Sequence, residues 1–388
     1  MAEKICAVGR LGGAESGRDG GDGREMDEIQ DETRRQRMLD CRVVRCEQVA
    51  TETFRLRVTA PELAQMCKGV LPGQFVMVRV PGTHDPLLGR AFAIFNFGTG
   101  TEGMAPSERN SLKMDAVRSE NILSPREMAT ATAKFGCEKR RMRSDEGEGE
   151  KVGEEVGEPW LEIVFLRVGR ATTIFATLTP GERVTLWGPL GNGFSSLDPS
   201  RYRHLICVAG GIGQTPMRLV LEEAMGRRRF GRSFEGSEKG TRLERVSFCY
   251  GAKSEAGFAC LDEFESIGTQ LILTTEDGSR GERGRVTGPL ERLILEHEAS
   301  RRAEIWVMAC GPEPMLVAVQ ELLRRYGVQG ELSLETPMAC GMGICFSCVA
   351  KIRVPNSEGD VGMADAWDYR RTCREGPVFP AAAVVFEG

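Results

Sequence analysis

Residues 204–225 read HLICVAGGIGQTPMRLVLEEAM, and their order decides how the second half of the chain folds. His204 to Ala209 is an apolar run short enough for one strand buried on both faces. Gly210, Gly211 and Gly213 follow, and TPMRLVLEEAM then supplies apolar residues at helical spacing. A strand, a glycine-rich turn and a helix open a βαβ unit. The rhythm repeats: VSFCYGA (246–252), QLILTTED (270–277), EIWVMACG (304–311) and GELSLE (330–335) read as strands, with helical segments over 258–266, 287–297 and 313–326. The alternation predicts a doubly wound, parallel α/β sheet.

The first half has a different rhythm. TFRLRV (53–58) puts Phe54, Leu56 and Val58 on one face of a strand. GQFVMVRV (73–80), RAFAIFN (90–96), LEIVFLRV (161–168) and GERVTLWG (181–188) are further short strands punctuated by Gly and Pro. Many short strands predict a small antiparallel β-barrel. Three stretches interrupt the pattern. Residues 1–38 are Gly-rich and charged, 98–158 join EKRRMR to SDEGEGEKVGEE, and 226–244 read GRRRFGRSFEGSEKGTRLE. Such low-apolar segments cannot bury enough surface to order themselves, so all three are expected to be solvated and disordered.

Composition narrows the function classes. A chain of 388 residues has room for two domains or more. Its net charge of −5, with no basic-aromatic alternation, argues against nucleic acid as a partner. No apolar run reaches the ~18 residues of a membrane span. The N-terminus lacks an apolar signal core, so the chain reads as cytoplasmic. Its 13 cysteines are then expected to be mostly reduced thiols. Cys207, Cys249 and Cys310 lie in apolar runs and read as small core residues.

Gly210, Gly211 and Gly213 let backbone N–H groups approach a pyrophosphate at the start of the next helix. Their spacing is not G-x-G-x-x-G, and a plain tight strand-to-helix turn is the alternative. A second glycine turn, ACGPEPM (309–315), follows the next-to-last strand of the sheet. Two such turns at the carboxyl ends of one sheet point toward a nucleotide.

The stretch MACGMGICFSCVAKI (338–352) places Cys340, Cys345 and Cys348 within nine residues. The C-x4-C-x2-C spacing is that of a plant-type [2Fe–2S] site, which needs a fourth thiolate downstream. Cys373 in YRRTCREGPVF is the one cysteine left to supply it. Gly341, Gly343 and Ser347 suit a loop wrapped closely around a cluster. Zinc is the main rival, although one of the paired C-x2–4-C knuckles usual for zinc is missing; plain structural thiols are the other alternative.

The two halves together resemble the ferredoxin–NADP reductase superfamily. The matching motifs are PGQF (72–75), the R-x-F-x element Arg90, Ala91, Phe92 and Ala93, GPLGNGF (188–194), GGIGQTPM (210–217) and CGPEPM (310–315). The resemblance implies an FAD-binding barrel over 39–200 and a nicotinamide-binding sheet over 201–335. It implies that Arg90 pairs with the FAD pyrophosphate; read alone, Arg90 would be a surface arginine beside a strand. Ala93 stands where the family usually has a hydroxyl near the flavin. The second FAD element is LRVGRATTIFATL (166–178), with Leu166, Arg167, Val168, Ala171 and Thr172; Thr172 also reads as a helix N-cap. NAD(H) would bind over Gly210, Gly211, Gly213, Gln214 and Thr215, with Cys310 and Gly311 opposite.

GELSLE ends five residues before Cys340, and 40 residues follow Cys348. That leaves no room for a separate ferredoxin domain, so 336–388 is expected to be a short cluster segment. Such a segment fused to a nicotinamide sheet resembles the electron-transfer subunits of NAD-dependent (type B) dihydroorotate dehydrogenases. SLETPMACGMGICFSCVAKI, YGAKS, TEDGSRGERGRVT and TCREGPVF carry the match. The departures are the insertions, Ala93 and a long interval before Cys373, whose VPNSEGDVGMADAWD reads as an extra loop. The resemblance implies an oxidoreductase subunit with NAD(H), FAD and a [2Fe–2S] cluster held by Cys340, Cys345, Cys348 and Cys373. Its partner would be an FMN-containing catalytic subunit, in a heterotetramer, that converts dihydroorotate to orotate; no catalytic residue for that step is expected here. A flavin/iron–sulfur subunit of another complex, glutamate-synthase-like or hydrogenase-linked, shares this architecture, and a non-enzymatic redox sensor is the third reading. Lys253 and Arg280 leave NAD and NADP both open.

Overall fold

The computed structural model describes residues 38–82, 87–99, 157–231, 243–354 and 366–387. Almost all of 1–38, and most of 98–158 and of 226–244, lie outside the described residues, as do 355–365 of the interval before Cys373.

Six strands close the barrel: β1 (Leu39–Ala50), β2 (Thr53–Thr59), β3 (Phe75–Arg79), β4 (Arg90–Gly98), β5 (Trp160–Leu166) and β6 (Arg183–Leu190), in the order β1-β2-β5-β4-β3-β6. Every neighbouring pair is antiparallel. Phe54, Leu56 and Val58 enter the barrel core as their alternation requires, with Cys41 and Val43 from β1 and Leu161, Ile163 and Phe165 from β5. Two short helices flank the barrel, α1 (Leu63–Cys67) and α2 (Arg170–Ala176). The long insertion leaves from Gly98 and returns at Trp160, which are Cα partners across β4 and β5. Chain added there enters and leaves at the mouth of one hairpin, so the ladder need not shift.

Beyond residue 200, β7 (His204–Gly210), β8 (Arg245–Ala252), β9 (Gln270–Thr275), β10 (Glu282–Arg283), β11 (Ile305–Cys310) and β12 (Gln329–Ser333) lie parallel in the order β10-β9-β8-β7-β11-β12. The helices are α3 (Met217–Ala224), α4 (Leu261–Ile267), α5 (Thr287–Leu295) and α6 (Glu313–Tyr326). In α6, Glu313 opens the first turn, Arg324 and Arg325 sit in the last, and Gly327 ends the helix at φ +65°. Its Leu316, Val319 and Leu323 recur at helical spacing and bury one face against the sheet.

The sheet is not wholly parallel, as the sequence had suggested. After β12 the chain builds a small antiparallel sheet from β13 (Val349–Arg353), β14 (Trp367–Arg371) and β16 (Val384–Val385). Between β14 and β16 it sends β15 (Val378–Pro380) back to pair antiparallel with β12. The end of the interval before Cys373 is therefore a strand, β14, rather than loop.

One buried charge group braces the barrel, and a second, partly buried one ties the barrel to the sheet half. Glu162 on β5 is fully buried, with Arg57 Nε and an Arg45 terminal nitrogen both 2.9 Å from its Oε1. Burial pulls its carboxyl upward, but Arg57, Arg55 and Arg45 more than offset that and hold it below the usual range. Glu263 on α4 receives both Arg55 from β2 and Arg218 from α3. Those two guanidiniums also lie 5.3 and 5.1 Å from the Phe95 ring. At the start of the 226–244 stretch Arg228 and Phe230 pack onto the protein while Arg227 and Arg229 stay exposed. Arg228 donates to Asn96 Oδ1 and the Phe97 carbonyl at 3.1 and 2.6 Å and lies 3.7 Å over the Phe97 ring.

Replacing Glu162 by Gln should strand Arg57 and cost about 3–5 kcal/mol, seen as a lower denaturant midpoint by tryptophan fluorescence. The carboxylate's contribution is fully present above the unfolded glutamate value of about 4.3 and is lost as pH falls through its lower folded value. The gap between wild type and Glu162→Gln should therefore narrow only in acid. An unchanged midpoint at pH 7 would contradict this.

Candidate functional site

In the sheet, the chain moves from β7 through β8, β9 and β10 on one side, then crosses to β11 and β12 on the other. The carboxyl ends of β7 and β11 thus flank a topological switch point, where open α/β sheets leave a crevice for a ligand. Both glycine turns are there, in contact. A Cβ on Gly213 would lie 2.2 Å from the Cys310 carbonyl oxygen, and one on Gly311 would lie 3.0 Å from Gly210 N. Only bare backbone fits at those positions. Gly211 to Gln214 form one 3-10 turn, entered at φ +53° by Gly211, and Thr215 Oγ1 closes it by donating to the Ile212 carbonyl at 3.0 Å. The Gln214 amide is wholly buried, and neither its oxygen nor its nitrogen has a partner among the described residues. An unpaired buried amide in this turn is a group that a bound ligand or water would satisfy. Burial pushes the Cys310 thiol up to about 12, with a Ser333 hydrogen bond opposing.

On the barrel, Arg90 is exposed at the start of β4 and, among the described residues, reaches the Leu88 and Gly89 carbonyls at 3.2 and 3.1 Å. No acidic partner is recorded for it among the described residues, so the guanidinium fork is open to an anion such as a pyrophosphate. Phe92 turns inward onto Phe165 and Phe175, each at 5.5 Å. Ala91 and Ala93 take the other face, opposite Met77 and Phe75 of β3. The second element looks different from the expectation of a phosphate contact. Thr172 Oγ1 accepts from the N–H groups of Val168 and Gly169 at 3.0 and 3.1 Å and donates to the Gly169 carbonyl, so it closes its own turn. Arg167 is held bidentate by Glu52 at 2.6 and 2.8 Å. Leu166 is half-buried, Ala171 is buried, and Val168 is 80% exposed.

The cysteine loop is built on left-handed backbone. Gly341, Gly343 and Phe346 have φ of +71°, +81° and +56°. A Cβ on Gly341 would lie 2.6 Å from Met77 Cγ, and one on Gly343 2.4 Å from Arg374 Cγ. Cys340 Sγ accepts from Met342 N–H at 3.3 Å, and Ser347 Oγ lies 3.2 Å from Cys345 Sγ. Hydrogen bonds from Ser347, and then from Cys340, lower the exposed Cys345 thiol to about 6. Cys348 and Cys373 are buried side by side. Burial pushes Cys373 up to about 12, and the neighbouring Cys348 and Cys340 thiols add to the rise.

The wide sequence gap before Cys373 is closed by a hairpin. Val349 pairs with Arg371 across β13 and β14, and the Thr372 N–H and hydroxyl both donate to the Cys348 carbonyl, at 2.7 and 3.0 Å. The donor set suits a two-iron cluster: like neighbours raise a buried thiol, and a bound cation reverses that cost. Among the described residues no three or more His, Cys, Asp or Glu side chains, the four cysteines included, are already gathered closely enough to hold a metal ion.

The loop sits on the barrel. Cys348 and Cys373 share one apolar cluster with Phe75, Met77, Trp187 and Leu190, against which Ala91 and Met342 pack. Trp187 Nε1 donates to the Cys340 carbonyl at 3.2 Å. GPLGNGF, a motif with no assigned role in the sequence, clasps the segment after Cys373. The Asn192 side chain donates to the Glu375 and Val378 carbonyls at 3.2 and 2.7 Å and accepts from Val378 N–H at 3.1 Å. A Cβ on the preceding Gly191 would lie 2.5 Å from Pro377 Cδ.

Comparison with known proteins gives this geometry a family. The model described as the iron-sulfur cluster binding domain of dihydroorotate dehydrogenase B matches residues 335–385, and an oxidoreductase NAD-binding domain matches 207–321. The dihydroorotate dehydrogenase B (NAD(+)) electron transfer subunit of Desulforamulus reducens is 27% identical over 90% of this chain and 99% of its own. That of Caldanaerobacter subterraneus is 32% identical, over 58% of this chain and 76% of its own. The chain belongs to the family of dihydroorotate dehydrogenase B electron transfer subunits. The structure of an NADH-dependent reduced ferredoxin-NADP oxidoreductase shares the fold, with a TM-score of 0.57, 20% identity and 89% of each chain covered. No helix among the described residues is long and apolar enough to cross a membrane.

Gly341→Ala should prevent stable cluster assembly, because its left-handed φ and the Met77 side chain both exclude a methyl group. Iron and sulfide content and the visible cluster spectrum are the measurements, with retained FAD as the control for folding. Cys373→Ser should also abolish iron incorporation, and normal iron there would show that the fourth ligand lies elsewhere.

Proposed function

We propose that the chain is a cytoplasmic electron-transfer subunit that links NAD(H) to an FMN-bearing dihydroorotate dehydrogenase catalytic subunit, in a heterotetramer serving pyrimidine biosynthesis. In this reading residues 39–200 hold FAD, 201–335 hold NAD(H), and 336–388 hold a [2Fe–2S] cluster. Arg90 anchors the FAD pyrophosphate, with Ala91, Phe92 and Ala93 beneath the flavin and Leu166, Arg167, Val168, Ala171 and Thr172 shaping its second edge. Gly210, Gly211, Gly213, Gln214 and Thr215, with Cys310 and Gly311, line the nicotinamide crevice. Cys340, Cys345, Cys348 and Cys373 ligate the cluster.

The observation that carries the reading is the apolar cluster shared by Ala91 and the two buried cysteines. Ala91 of β4 and Cys348 and Cys373 meet on one packed face, which supports reading β4 as the flavin edge nearest the cluster. Bound FAD supplies the conversion between a two-electron hydride and the single electrons of an iron–sulfur centre. The chain's own residues set the geometry and exclude water. Cys348 and Cys373 are sealed against the barrel, while Cys345, Ile344 and Phe346 are exposed on the outer edge of the loop. Electrons leave from that edge, and the base that deprotonates dihydroorotate belongs to the partner.

Purified alone and loaded with its cofactors, the protein should reduce a dye with NADH and show no dihydroorotate turnover. Adding the FMN-bearing subunit should restore NAD-linked orotate formation. Cys348→Ser should then bring that coupled turnover to background while leaving reduction of FAD by NADH largely intact in stopped flow. Coupled turnover at the normal rate in Cys348→Ser would mean that electrons bypass the cluster.

A further inference from the structure

The crevice also carries a device for choosing between the two dinucleotides. Gly210 lies opposite Gly251 across parallel β7 and β8, so the turn leaving β8 emerges level with the glycine turn. Gly251 and Ala252 lie opposite Thr274 and Thr275 of β9. Past the strands the two loops stay joined: Glu276 N–H donates to the Ala252 carbonyl and Asp277 N–H to the Lys253 carbonyl, both at 3.2 Å. In a doubly wound sheet this is where the adenosine ribose lies, a carboxylate reading a free 2′-hydroxyl and an arginine a 2′-phosphate.

Both kinds of group are present. Arg280 has the fork suited to a phosphate, but its guanidinium is taken up, 3.3 Å from Glu255 Oε1 and 3.8 Å from Glu265 Oε1. Glu255 is fixed in turn, its N–H donating to Ser279 Oγ at 2.7 Å. The Ser279 N–H and hydroxyl both donate to Asp277 Oδ1, at 2.9 and 2.6 Å. Lys253, on the loop after β8, and Arg283, on β10, are further cations of this region, and Glu265, Glu276 and Asp277 are its further carboxylates.

Given the nicotinamide site proposed above, we infer that Glu255, by holding Arg280, makes the crevice select NAD(H) over NADP(H). A neutral ribose diol fits the pair, one hydroxyl donating to Glu255 and accepting from Arg280. A 2′-phosphate must take Arg280 away from Glu255 and then sit among the carboxylates. The pair is half-exposed, so its own strength is small; what discriminates is the difference between the two ligands.

The test is steady-state dye reduction by the FAD-loaded protein with NADH and with NADPH. Wild type should prefer NADH. Glu255→Gln should raise kcat/KM for NADPH about tenfold, through KM, and adding Arg280→Ala should cancel the gain. On the wild-type protein itself, AMP should compete with NADH better than adenosine 2′,5′-bisphosphate does, and Glu255→Gln should reverse that order. Wild type using NADPH as well as NADH, tighter competition by the bisphosphate, or a gain that survives Arg280→Ala would each overturn the inference. A protein that reduces the dye with neither nucleotide would instead overturn the nicotinamide site on which it rests.

Discussion

The side-chain amide of Asn192 is the joint on which the arrangement depends. It spends its donors and its acceptor on three backbone groups of the segment that follows Cys373. The barrel loop that carries it is thereby fixed to the cluster segment, while the neighbouring Ser195 N–H donates to Glu331 of β12 at 3.0 Å. One short loop therefore touches the barrel, the sheet and the cysteine segment. Gly191 makes the approach possible, since a side chain there would strike Pro377. This loop therefore helps fix how the barrel, the sheet and the cysteine segment stand to one another.

A second set of contacts works by charge. Glu263 collects an arginine from the barrel and one from the sheet, and both stack on Phe95. The contact between barrel and sheet half is thus held by groups whose loss would leave partly buried charge unpaired. The cluster side is held by apolar packing and by the Trp187 hydrogen bond instead. The difference suits the two tasks. A nucleotide must enter and leave the crevice, whereas a resident cluster needs a dry and permanent wall.

Much of this was legible in the sequence, for physical reasons. Parallel strands buried on both faces appear as apolar runs, so β7, β8, β9 and β11 could be read directly, and the paired glycine turns marked the ends that matter. The cysteine spacing was visible because the cluster loop is local. What was not legible depends on long-range pairing. β15 is three residues whose place beside β12 no local pattern reveals. β14, WDYRR, is polar and largely exposed, yet its register with β13 is what carries Cys373 to Cys348. Arg228 sat in a run that looked solvated, but the Phe97 ring that covers it comes from β4, more than a hundred residues earlier in the chain. Thr172 read as a helix N-cap, but the helix begins at Arg170 with Gly169 as its cap, and Thr172, at the third helical position, turns its hydroxyl back onto Val168 and Gly169.

The central claim is that one chain joins the nicotinamide crevice, the flavin barrel and the cysteine loop into a continuous electron path. The most direct measurement is rapid freeze-quench EPR of the cofactor-loaded protein mixed with NADH, with no partner subunit present. The expected result is a reduced [2Fe–2S] signal that rises together with bleaching of the flavin. A flavin that bleaches fully while the cluster stays EPR-silent would contradict it.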